Sequence, residues 1–223
     1  MTRAPALRRR PRGPGRDDRT RRRLLEQAAE LFAERGFEAV SVRELCRAAG
    51  ANLAAVNYHF GDKAGLYGEV VERAIATMHA LEAEAWQGAP TGPEERLRAY
   101  VGAFLERIAS RRRGSWVHRL LSREFEAPTP ALDRVVERVF RPRLARLAAI
   151  VAELMGCPPG DPRVGRAVAS VQGQCLLYRN RAVASRLDPG WRPTPERLDE
   201  LADHVTRFSV AGIRALASPR ARR

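Results

Sequence analysis

Apolar residues recur along the chain at intervals of three and four, the period of an amphipathic helix; no segment shows the strict alternation of a strand. The first such segment runs from about Thr20 to Arg35, with Leu24, Ala28, Leu31 and Phe32 on its inner stripe. Gly36 closes it, and Phe37 is placed to fold back on Phe32. Two short helices follow. One carries Leu45, Ala48 and Ala49 on its buried side, the other Leu53, Val56 and Phe60. A long helix capped by Asp62 then extends to about Gln87, with Leu66, Val70, Ala74, Met78 and Leu81 on one side. It starts in the first group of helices and ends outside it, so it can carry a displacement between two regions.

Gly88 to Pro93 breaks the pattern. Helical spacing resumes with Leu97, Val101, Phe104, Leu105 and Ile108, is interrupted by Arg111, Arg112, Arg113 and Gly114, and returns from Trp116 towards Phe125. After the Pro128–Pro130 turn comes a helix that Pro142 kinks or ends. The next holds Leu144, Leu147, Val151 and Leu154. Asp161-Pro162 and Thr194-Pro195 are cap-then-proline starts. The first predicts a helix to about Leu187, with Val164, Val168, Val171 and Cys175 inside. The second predicts one to about Leu216, with Leu198, Leu201, Val205 and Phe208 forming a seam for another helix. Gly173 and Gly212 would allow close helix approach. The expected fold is all-α: a three-helix head and a C-terminal helical bundle, about nine to ten helices in total.

Most of the chemistry lies between Ser41 and Lys63. Ser41 and Glu44 have the spacing of a capping box, in which hydroxyl and carboxylate each accept a bond from an orphan N–H at the helix start. Gly50 ends that helix in the left-handed conformation, and Asn52 caps the next. Two helices joined by a short glycine-containing turn form a helix-turn-helix, whose second helix enters the DNA major groove. Ala54 and Ala55 let the backbone approach bases and meet thymine methyls, and Asn57 can bond adenine edges bidentately. Tyr58, His59 and Lys63 suit phosphate oxygens, which fix register without reading sequence. The two caps, Ser41 and Asn52, and Arg43 complete the expected DNA-binding set.

This stretch resembles the DNA-binding domain of the TetR family of bacterial transcription regulators, through Ser41, Val42, Leu45, Ala49, Gly50, Val56, His59, Phe60 and Lys63 in order and spacing. The likeness extends from Leu24 to about Val71. Asn57 stands where the family has tyrosine, Cys46 where it has alanine, and Asn52 where it has serine or threonine. The resemblance implies a base or phosphate contact at Arg43 and a phosphate contact at Lys63. It implies a different base preference at Asn57. Farther on, Val171-Gln172-Gly173-Gln174-Cys175-Leu176, with the helix from Pro142 to Met155 before it, resembles the YbiH/CecR-like C-terminal domain within the same family.

Charge changes where the affinity is placed. The net charge is +14 over 223 residues. The helix-turn-helix has more acids than bases, whereas residues 1–23 hold ten arginines and two aspartates. Residues 1–18 therefore read as a disordered arm able to lie along phosphates. Lys63 is the only lysine, and this arginine bias also fits a GC-rich genome with many cations merely solvating the surface. Cys46, Cys157 and Cys175 are far apart and odd in number, which fits buried thiols in a reducing cytoplasm. No apolar run follows the N-terminal arginines, and the stretch from Leu144 to Met155 is too short to span a bilayer. No phosphate-loop, dinucleotide, zinc-protease or nucleophile-elbow motif is present, and no His, Cys and carboxylate spacing suits a metal. No enzyme activity, cofactor or metal is expected.

The domain expectation is an arm (1–18), a DNA-binding head (19–65) and a region for ligand sensing and dimerisation (66–218). Within the last, Phe104, Trp116, His118, Leu121, Gln172 and Tyr178 are the candidates for an effector pocket, apolar with a few polar groups. Gln174 and Arg179 accompany them. Ordinary core packing accounts for the same residues. His79 and His204 read as surface residues. The expected partners are a palindromic double-stranded DNA operator, a second copy joined through the last two helices, and a small-molecule effector. The expected function is a repressor that the effector releases. A protein partner or constitutive action is the first alternative, and an all-α enzyme, for which no catalytic constellation is found, is the alternative from another class.

Overall fold

The computed structural model describes residues 16–88, 90–109, 116–179 and 181–217. Residues 1–15 of the expected arm, and the Arg111–Gly114 interruption, lie outside them. Among the described residues every regular element is helical. The chain divides into two compact units between Glu72 and Arg73.

The first unit contains α1 (Arg16–Arg35), α2 (Val42–Ala49), α3 (Leu53–Phe60) and the start of α4 (Lys63–Ala85). Helix α1 starts earlier than its apolar stripe indicates. Asp17 and Asp18 occupy its first turn, where anions suit the positive end of the helix dipole. Leu24, Ala28 and Phe32 are buried with Val40, Leu45, Val56, Leu66 and Val70. Tyr67 meets Phe32 edge-on, with centroids 5.0 Å apart, and Phe37 folds back on Phe32 at 6.0 Å. Two expectations fail here. In α2 the buried residues are Leu45, Cys46 and Ala49, and Ala48 is exposed. In α3 Leu53 is 57 % exposed, because it stands beside the cap at the open end of the helix.

The second unit contains the rest of α4, α5 (Pro93–Ala109), α6 (Trp116–Glu126), α7 (Leu132–Val135), α8 (Arg141–Met155), α9 (Pro162–Leu176), α10 (Arg181–Leu187) and α11 (Pro195–Ala217). Its core joins Leu97, Val101 and Leu105 of α5 to Leu147 and Val151 of α8, Val164 and Val171 of α9, and Val205 and Ile213 of α11. Arg98 clamps α5 to α11, donating to Asp199 and Asp203 at 2.6 and 2.5 Å. On α6 the buried Glu124 carboxylate accepts from the Thr129 amide (3.2 Å) and hydroxyl, which holds the following turn.

Four expectations for this unit change. On α4 the inner stripe stops at Met78, and Leu81 is exposed. The helix expected over Pro162–Leu187 breaks after Leu176. A 3₁₀ turn over Leu177–Arg179 carries Tyr178 to the Trp191 ring, at 4.6 Å, before α10 resumes. On α11, Leu201 and Val205 are buried in the chain's own core, whereas Phe208 is 65 % exposed. The inner stripe continues instead through Ser209, Val210 and Ile213, as a 3.6-residue period requires. Gly173 and Gly212 face open space.

Pro142 lies in the first turn of α8, directly after a π-helical turn over Val136–Phe140. Proline has no N–H, so Pro142 itself gives no bond to the Arg138 carbonyl four residues back. His79 of α4 supplies one: its Nε2 lies 2.5 Å from that oxygen. A carbonyl only accepts, so Nε2 carries the proton. His79 is exposed, as its sequence context indicated, and also makes this contact.

Candidate nucleic-acid interface

The turn between α2 and α3 is fixed at both ends by side-chain caps. The Glu44 amide donates to Ser41 Oγ (3.3 Å), and the Ser41 amide donates to Glu44 Oε2 (2.9 Å). Arg35 donates to the other Glu44 oxygen at 2.7 Å and to the Ala39 carbonyl at 2.9 Å. These bonds favour the carboxylate. They lower the Glu44 pKa to about 2 from 4.5, the Ser41 amide first, then its hydroxyl, then Arg35. Gly50 takes the left-handed conformation at φ 57°, and the Ala51 amide reaches back to the Cys46 carbonyl at 2.9 Å. Asn52 Oδ1 then accepts from the Ala55 amide at 2.9 Å.

These bonds present α3 outwards on one strip. Leu53, Ala54, Asn57 and Tyr58 are exposed, Tyr58 by 76 %. They stand at i, i+1, i+4 and i+5, one face of a helix. Ala55 is half-buried beside the strip, and Val56 and Phe60 face inwards. Arg43 is exposed one helix earlier. The face thus carries methyl and aromatic surface, one amide able to donate and accept, and a phenol.

His59 departs from its expected place. Its side chain is only 8 % exposed, and Nε2 lies 3.2 Å from Asp17 Oδ1. It braces α3 against α1 and does not face outwards. The early start of α1 makes this possible. Leu53 is the opposite case: placed inside by its spacing, it lies on the presented strip. Ser41 and Asn52, counted as DNA-binding positions, have their side chains engaged as caps.

Lys63 is the first residue of α4. Its ammonium sits 4.3 Å from the centroid of Phe37. The corner holding it next to α3 depends on two glycines. Gly61 has φ 78°, and its amide bonds the Asn57 carbonyl at 3.0 Å. The Gly65 amide donates to Asp62 Oδ1 at 2.7 Å. A Cβ on Gly65 would lie 2.0 Å from the Phe60 carbonyl oxygen, so α4 can pass the end of α3 only because that position is glycine. Sequence spacing gave no sign of this approach.

In the second unit, three of the six effector candidates, Phe104, His118 and Gln172, lie near one polar group of residues. Gln172 Nε2 donates to Tyr100 Oη at 2.7 Å. The Phe104 ring lies 5.7 Å from the Arg107 guanidinium carbon. His118 has both ring nitrogens buried without a partner. Its pKa is lowered first by burial, then by Arg107 and Arg143. Leu121 is buried in the same helix as His118. Tyr178 instead packs on Trp191. Trp116 lies 5.8 Å under the Arg73 guanidinium. Cys175 is buried, which pushes its thiol up to about 12. The described residues contain no metal-binding group of three and no helix long and apolar enough to cross a membrane.

Comparison with known proteins matches this geometry. Residues 24–70 match the family described as bacterial regulatory proteins, tetR family. Residues 93–213 match the C-terminal domain of the HTH-type transcriptional dual regulator CecR. The chain is a TetR-family transcriptional regulator with a CecR-type C-terminal domain. It is 28 % identical to CecR of Shigella flexneri, over 84 % of this chain and 88 % of that one. It is 32 % identical to the regulator AcrR of Shigella flexneri, over 42 % of this chain and 44 % of that one. The crystal structure of a transcriptional regulator from Pseudomonas aeruginosa PAO1 shares the fold, with a TM-score of 0.65 at 21 % identity, covering 89 % and 93 % of the two chains. TetR-family membership makes this a DNA-binding regulator and not an enzyme, and its CecR-type domain is the part that the C-terminal sequence run foretold.

Proposed function

We propose that this TetR-family regulator acts in the cytoplasm as a symmetric dimer that represses transcription from a palindromic operator and is released by a small-molecule effector. The observation carrying the reading is the exposed α3 strip of Leu53, Ala54, Asn57 and Tyr58, held outwards by two side-chain caps. Asn57 reads a base edge, Ala54 and Leu53 meet apolar base surface, and Tyr58, Arg43 and Lys63 meet phosphates. The α2–α3 caps and the His59–Asp17 contact fix the angle of the strip. Dimerisation uses α9 and α11, whose exposed Leu176 and Phe208 are the apolar residues a second copy covers. The interior of the second unit receives the effector.

A footprint on DNA upstream of its own gene tests this reading. Two protected half-sites about one helical turn or a multiple apart, with falling transcription in vitro, are expected. Protection no stronger than on random DNA contradicts it. The name dual regulator carried by the Shigella flexneri relative supports a second reading, in which the same head also activates at promoters where its operator lies elsewhere.

A further inference from the structure

In the second unit two neighbouring guanidinium groups, Arg143 and Arg107, share one committed carboxylate. Arg143 of α8 pairs through Nε with Glu82 of α4, and both side chains are nearly buried, at 12 and 14 % exposure. Its Nη2 is buried with no partner. Arg107 of α5, half-buried, makes no ion pair among the described residues, and the Phe104 ring lies beside it. Burial first, and Arg143 second, pull the Arg107 guanidinium down to about 10. The carboxylates that act on it, Glu82 and Glu106, are respectively committed to Arg143 and exposed. Near these two cations His118 offers one donor and one acceptor, both unused, and Gln172 and Tyr100 offer a bonded pair. A desolvated charge without a counter-charge is costly unless something supplies one.

We propose that this part of the second unit binds an organic anion, a small and partly apolar molecule whose oxyanion head is held by Arg107 and by the free Nη2 of Arg143. His118 and Gln172 are the polar residues that orient it, and Phe104 and Leu121 give apolar surface to its body. The polarity follows from the charge count: one guanidinium is already answered by Glu82, and the second calls for one negative charge from outside. A cation meets like charge there, and a neutral molecule leaves Arg107 unanswered. Carboxylates and phosphate monoesters share this chemistry. The inference rests on the reading of the second unit as the sensing region.

The test is thermal unfolding of the full chain with sodium octanoate, octyl phosphate, octanol or octylamine. A higher midpoint with one or both anions, and none with the alcohol or amine, is expected; which anion acts separates carboxylate from phosphate. Arg107→Gln abolishes the shift, whereas Arg141→Gln, at an exposed position, keeps it. Without ligand, Arg107→Gln raises the midpoint, because it removes a desolvated charge. Equal shifts with octanol, an anion shift that survives Arg107→Gln, no shift with either anion, or an Arg107→Gln protein less stable than wild type each overturn the proposal. DNA release is measured in parallel. Anion binding without release leaves the anion site standing and removes its role as effector; release by a neutral molecule with no anion binding does the reverse.

Discussion

A methyl group at Gly65 would lie 2.0 Å from the carbonyl oxygen of Phe60. That atom belongs to the backbone and cannot rotate aside, so the start of α4 must move from the end of α3. Gly65→Ala should cost about 1–3 kcal/mol, read as a lower denaturant midpoint. Because Lys63 stands two residues earlier, operator affinity should fall even where the protein remains folded. Gly173→Ala, facing open space, serves as the control and should be neutral or slightly stabilising. Equal behaviour of the two variants would remove the glycine corner from the account.

Substitutions on α11 should separate folding from assembly. Leu201 and Val205 face the chain's own core, so Leu201→Glu should bury an unpaired carboxylate and cost roughly 3 kcal/mol or more. Phe208 is exposed, and Phe208→Glu should leave the thermal midpoint of the isolated subunit nearly unchanged while weakening the dimer. Sedimentation across a concentration series reads the second effect. A Phe208→Glu protein as tightly dimeric as wild type would place the interface elsewhere.

Acid should loosen the α2 cap in a defined window. The Glu44 pKa falls from 4.5 to about 2 on folding. A lowered folded pKa means that the unfolded chain binds the proton more readily. The contribution is therefore complete above pH 4.5 and is lost as pH falls towards 2. Glu44→Gln should be less stable than wild type at pH 7, and the gap should close over that window. Urea unfolding at pH 7 and pH 3 measures both; a gap independent of pH would mean that the carboxylate charge is not what the cap uses.

The head was largely legible because its signals are local. Ser41, Glu44, Gly50 and Asn52 act on residues within five positions, and the structure shows each making the bond its type implies. Helix α3 was harder. Eight residues contain barely two turns, so spacing alone could not decide whether Leu53 or His59 belongs inside. The answer comes from Asp17 of α1, some forty residues earlier in the chain. Gly65 was silent because its role depends on a carbonyl that approaches only after folding. In the second unit Arg107 follows Tyr100 and Phe104 at helical spacing, yet in so arginine-rich a chain it read as one more solvated cation. The continuous helix expected through Leu187 failed because the contact between Tyr178 and Trp191 is tertiary, and apolar periodicity carries no record of it.

The central claim is that α3 reads bases while Lys63 beside it holds the backbone, and paired salt titrations test it most directly. Wild type, Asn57→Ala and Lys63→Ala are measured on the footprinted operator and on random DNA, after equal thermal unfolding is established. Asn57→Ala should cost about 1–3 kcal/mol per half-site on the operator and little on random DNA, with the salt slope unchanged. Lys63→Ala should weaken both DNAs alike and reduce the slope of log K against log salt by roughly two in a dimer. If Asn57→Ala instead weakens both DNAs equally, or neither substitution matters on the operator, α3 is not the reading helix.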